Sequence, residues 1–215
     1  YYGDLQTNFT SNPMNIEGDD KFGIEVDIYI TAHNGGLKNY TLAIEDEGGD
    51  IQFVEFTIDA GMTVSFLQGV LFNSAGPVGQ GGLDLDNGMS VGSNDTSAEI
   101  KDEGIDLDEP MDKNWIRKIS GANGSEIRQL IANTNGLPET FKFEDVFTPD
   151  QIAAVWENGN EFTDTNNVGE RISFRVELDD VFIVESNGIY YLINVVEINE
   201  TTDSNSDNYV VDIKY

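Results

Sequence analysis

Between residues 23 and 32 the chain reads Gly-Ile-Glu-Val-Asp-Ile-Tyr-Ile-Thr-Ala, with Ile24, Val26, Ile28 and Ile30 on every second position. Only an extended strand gathers such residues on one face, leaving Glu25, Asp27, Tyr29 and Thr31 in water. Residues 37–44 resume the pattern with Leu37, Tyr40, Leu42 and Ile44, and residues 51–58 (IQFVEFTI) predict a third strand. The segments His33-Asn-Gly-Gly and Asp46-Glu-Gly-Gly-Asp between them are turn chemistry. Three strands so spaced predict part of a β-sandwich.

Residues 69–82 carry five glycines and Pro77, which predicts a break in the chain. The expected organisation is mainly β, in two β-domains. An Ig-like sandwich over 1–72 and a β-rich module over 83–215 flank a Gly-rich linker at 73–82. In the second, short strands are expected at 82–91, 98–105 and 114–119, the last burying Trp115. Residues 125–132 (SEIRQLIA) fit either a strand or a helix capped by Ser125.

One helix is well signalled near 149–158. Thr148 is a hydroxyl N-cap, Pro149 opens the first turn, Asp150 sits at the positive end of the dipole, and Gly159 follows the last turn. Ile152, Val155 and Trp156 share a face. Strands then return at 171–176, 180–185, 189–198 and 209–215, with Asn187-Gly188 a strong hairpin turn. These predict an antiparallel meander at the centre of the second core. Apolar residues are 39% of the chain, with twelve Phe and eight Tyr, enough to build that core.

Forty acidic residues face eleven basic ones, a net charge of −29. Such a surface repels phosphate backbones and anionic lipid, and adaptation to salty surroundings explains it without any ligand. With no cysteine and one histidine, His33, neither a thiolate zinc site nor bis-histidine ligation of haem is available. No Gly-x-Ser-x-Gly elbow is present, and Gly79-Gln-Gly-Gly lacks the Lys-Ser/Thr of a phosphate loop. No run of 18 apolar residues predicts a membrane span.

Carboxylates are the remaining chemistry. Gly82-Leu-Asp-Leu-Asp and Gly104-Ile-Asp-Leu-Asp echo each other, and in a strand Asp84 and Asp86, or Asp106 and Asp108, share a face. The dense run over 102–112 nominates Asp102, Asp106, Asp108 and Asp112 as calcium ligands, calcium favouring several hard oxygens. A solvated loop with its leucines turned inward explains the same pattern. A carboxylate pair is also all that a glycoside hydrolase requires. Tyr1, Tyr2, Tyr29, Tyr40 and Tyr190 or Tyr191 fall on faces where flat rings stack on sugars, or simply cover a sheet.

The stretch from Gly23 to Leu42 resembles the Ig-like first module of Bacteroidota surface lipoproteins. Gly82-Leu-Asp-Leu-Asp-Asn-Gly with Ala98-Glu-Ile-Lys-Asp, and the ending from Asp180 through Tyr190-Tyr-Leu-Ile-Asn-Val-Val-Glu-Ile to Tyr209-Val-Val-Asp-Ile-Lys-Tyr, are similar to their second module. The resemblance implies a secreted or outer-surface bacterial protein, lipid-anchored upstream of residue 1. The opening at Tyr1 suggests a removed export signal. The implied function is non-catalytic binding or adhesion toward glycan or protein. That second module also resembles, distantly, the HmuY-type haem carriers. This implies a haem or other small-ligand carrier as the alternative, with Met62, Met89 or Met111 as the available axial ligands. A carboxylate-dependent glycoside hydrolase is the second alternative.

Overall fold

The computed structural model describes residues 5–7, 28–30, 37–59, 61–73, 80–202 and 206–215. The described part is mainly β, with several antiparallel sheets and one short helix. Two compact units divide it, Tyr1–Met62 and Thr63–Tyr215.

In the smaller unit, β1 (Leu5–Thr7) pairs antiparallel with β2 (Ile28–Ile30), and β3 (Leu37–Glu45) with β4 (Ile51–Asp59). The β3–β4 register runs from Leu37↔Asp59 to Glu45↔Ile51 around the Asp46–Asp50 turn, where Asp46 Oδ1 accepts from the Gly48 and Asp50 amides. Tyr40 stacks on Phe56 across the pair. Most of the strand expected at 23–32 lies outside the described residues, as do His33, Tyr1 and Tyr2.

The larger unit begins earlier than the glycine count predicted. Its first strand, β5 (Phe66–Phe72), pairs with the last, β16 (Asn208–Lys214), in register from Phe66↔Lys214 to Phe72↔Tyr209. The boundary is therefore at Met62, not at 73–82, because β5 finds its partner at the other end of the chain. Residues 74–79 lie outside the described residues.

Between these ends come β6 (Gly82–Asp84), β7 (Met89–Val91), β8 (Ile100–Asp102), β9 (Ile119–Gly121) and β10 (Glu126–Leu130). Then follow α1 (Pro149–Ala154), β11 (Asn160–Glu161), β12 (Asp164–Thr165), β13 (Arg171–Ile172), β14 (Val181–Ser186) and β15 (Ile189–Asn199). Residues 125–132 resolve as strand β10. The strand expected at 171–176 is paired only over Arg171–Ile172, and that expected at 114–119 reduces to a bridge between Ile105 and Trp115. A six-stranded sheet has the order β11-β10-β14-β15-β16-β5, and a four-stranded sheet the order β7-β6-β8-β9.

The burial pattern of β14 explains this layering. Phe182 and Val184 join Leu83, Ile100 and Ile119 of the four-stranded sheet in one core. Ile183 points the other way, to a second core with Ile152, Trp156, Leu137 and Phe143. Both faces of the strand are covered, so its sequence is a continuous apolar run instead of an alternation. The helix forms as its ends dictate. Thr148 Oγ1 accepts from the Gln151 amide while the Gln151 side chain accepts from the Thr148 amide. It ends at Ala154, and Trp156–Asn158 continue as one 3-10 turn. Lys214 is buried, and its ammonium donates to the carbonyls of Phe143 and Val146, both at 2.8 Å, pinning this layer to the sheet.

Candidate functional site

The larger unit has a cleft of about 560 Å³. Its walls are the β9–β10 turn with the start of β10, and the β12–β13 hairpin at Glu170 and Arg171, with Glu161 and Phe162 between them. Gly121 must lack a side chain, because a Cβ there would collide with the Ser125 carbonyl, so the turn closes on itself. Asn123 and Gly124 complete it at φ of 53° and 89°. The Asn123 carboxamide ties the turn to the segment before β8 by donating to the Asp95 and Ala98 carbonyls, both at 2.8 Å.

The cleft is polar and internally paired. Arg171 donates to Glu161, whose other oxygen is 3.6 Å from Arg128. Arg128 lies with its guanidinium 4.0 Å over the Trp156 ring. Glu170 accepts from Lys101 at 2.6 Å and from Asn166 at 2.8 Å. The bond from Arg171 holds the Glu161 carboxyl below its ordinary range, and the bond from Lys101 does the same for Glu170. Both stay ionised near neutrality, so neither is a proton donor to a leaving group.

The carboxylates pushed the other way lie off the cleft lining. Burial raises Asp102 to about 6, against the pull of the Gly104 amide (2.7 Å) and the Trp115 indole N–H (3.0 Å). Burial also raises Glu99, with the charges of Asp84 and Asp86 adding to it, and burial raises Asp180. Asp102 is 4% exposed, is bonded to the Trp115 indole, and does not line the cleft.

That burial separates the four predicted calcium ligands. Asp102 faces inward, while Asp106, Asp108 and Asp112 stand in an exposed loop where Asp106 Oδ1 caps the Asp108 amide at 2.9 Å. Among the described residues no group of three or more His, Cys, Asp or Glu is arranged to hold a metal ion. Asp84 and Asp86 part as well. Asp84 is buried and accepts from the Asn87 amide and side chain, whereas Asp86 is exposed and accepts from the Tyr191 hydroxyl at 2.6 Å. Burial, and then Asp86, push the Tyr191 hydroxyl up.

Among the described residues, the aromatic candidates Tyr190 and Tyr191 are packed. Tyr191 is 1% exposed and Tyr190 lies 5.6 Å from Trp156. Between the two sheets the apolar space is about 10 Å³, room for about one water and not for a macrocycle. Met62, Met89 and Met111 are exposed and none of them lines it. No signal in the sequence foretold the cleft, since its walls come from residues 121–128 and 161–171, which no short motif joins. Among the described residues no helix is long and apolar enough to cross a membrane. Compared with family models, curated proteins and solved structures, the chain matches none.

Proposed function

We propose that this chain is a non-catalytic binding or adhesion protein of a bacterial outer surface, and that the polar cleft is where it takes its ligand, a segment of glycan or protein. One observation carries this: the cleft's shifted carboxylates, Glu161 and Glu170, are both lowered, each by a bond from a cation. A glycoside hydrolase requires one carboxyl raised enough to donate a proton beside the scissile bond. A cleft with Glu161 and Glu170 bonded to cations and with its arginines paired offers fixed donors and acceptors, which suits recognition. The surface placement is supported only by the sequence resemblance. The space between the sheets gives the haem-carrier alternative no support.

An array of glycans and peptides probed with the labelled chain tests the proposal. Ligands should be retained by the wild type and weakened several-fold by Arg171→Ala, which removes an exposed wall of the cleft. Retention of nothing above background, or retention indifferent to Arg171, contradicts it. So does turnover of a glycoside panel.

A further inference from the structure

Strand β10 is paired with β14 along its whole length, from Glu126↔Glu185 to Leu130↔Val181. Its other edge is paired with β11 at Arg128 and Gln129 alone. After Glu161 the chain leaves the sheet for the β12–β13 hairpin, and the cleft opens where that pairing stops. Glu126 and Ile127 therefore line the cleft with a strand on one side and, among the described residues, none on the other. Successive strand residues turn their backbone groups to opposite edges, so one of these two directs its N–H and C=O toward the cleft. A free edge of this kind is a template for another strand.

The charges select what kind of strand. Glu126 is directly opposite Glu185, a like-charge pair that costs stability. Glu185 relieves itself by accepting from the Gly188 amide at 2.7 Å. Glu126 is exposed in the cleft and has no ion-pair partner among the described residues. The guanidiniums nearby are occupied, Arg171 by Glu161 and Arg128 by Trp156, Glu157 and Glu161. Glu126 is thus an unmatched anion at the mouth of the free edge, in a chain whose charge of −29 draws cations from a distance.

We infer that the cleft takes an extended peptide carrying Lys or Arg, its backbone added to the free edge of β10 at Glu126–Ile127 and its cation on the Glu126 carboxylate. This rests on the cleft being the ligand site, and it makes the ligand polypeptide. Main-chain bonds along the edge supply affinity, and the cross-strand position beside Glu126 supplies selectivity.

Fluorescence anisotropy on the whole chain tests it with four labelled probes. These are a short peptide alternating Lys with Val or Thr, the same peptide N-methylated along one edge, its Glu-for-Lys counterpart, and a neutral oligosaccharide. The first peptide should bind, and the methylated and acidic versions should bind about tenfold more weakly or not at all. Glu126→Lys should weaken the first peptide about tenfold. Its melting temperature should hold or rise, because the substitution turns the repulsion with Glu185 into attraction. Equal binding of the methylated peptide, or indifference to Glu126→Lys, overturns the inference. An oligosaccharide that binds and is lost in Arg171→Ala, with no peptide binding, overturns it and leaves the cleft as the ligand site. Failure of all four probes overturns both.

Discussion

Residues 82–86 and 104–108 spell almost the same pentapeptide, Gly-Leu-Asp-Leu-Asp and Gly-Ile-Asp-Leu-Asp, and fold in opposite ways. In the first, Leu83 and Leu85 are wholly buried, because they pack in the core with Phe182, Val184 and Ile193 of the six-stranded sheet. In the second, Gly104 takes φ of 83°, Ile105 makes a single bridge to Trp115, and Leu107 is 86% exposed. The alternation is identical, and the neighbours are not. Period two states which side chains can share a face, while the layer packed against that face decides whether it is covered. The carboxylates follow their hosts. Asp84 is buried and caps a turn at the surface, and Asp106 is exposed and caps another.

The difference is largest at the leucines. Leu85→Ala should cost about 3 kcal/mol in denaturant unfolding, within the usual range for a buried leucine. A cost near that of a surface change would mean that the two segments are equivalent after all.

A second effect belongs to Asp102, whose carboxylate fixes the Gly104 amide and so starts the exposed segment. Its folded pKa, about 6, stands above the ordinary aspartate value of 3.8. The stability it contributes is therefore present below pH 4 and lost as pH rises through about 6. The gap in unfolding free energy between wild type and Asp102→Asn should shift by about 2–3 kcal/mol, against the wild type, from pH 4 to pH 8. Taking the gap between proteins cancels the repulsion of the many other acids. A gap constant across that window would contradict the burial of Asp102.

Smaller effects separate the aspartates. Asp84→Ala should cost about 1 kcal/mol, because it removes the buried carboxylate that caps the Asn87 amide and side chain. Asp106→Ala should cost only a few tenths of a kcal/mol. Leu107→Ala should change stability by less than about 0.5 kcal/mol, a thermal melt sufficing to check it.

The same distinction marks what could be read in advance. The helix was legible because its signals are local, with Thr148, Pro149 and Gln151 within one turn. The Asn187-Gly188 turn was legible for the same reason, both residues taking positive φ. Residues 125–132 were ambiguous because Ile127 and Leu130 fit a helical spacing as well as a strand, and only pairing with β14 decides. The domain boundary was misplaced because five glycines read as flexibility, while β5, which holds the first of them, answers β16 at the far end of the chain. Asp102 read as part of a solvated acidic run, and the Trp115 that covers it is thirteen residues away. The cleft was invisible, since nothing in residues 121–128 announces that residues 161–171 will leave their edge uncovered.

Amide hydrogen exchange of the whole chain, with and without the Lys-bearing peptide, tests most directly that this molecule grips its ligand along a strand edge. Exchange should slow at the one of Glu126 and Ile127 whose N–H faces the cleft, and the buried meander of β14 and β15 should be unchanged. Peptide binding that leaves Glu126 and Ile127 unprotected, or that protects another edge such as β5, would contradict the account.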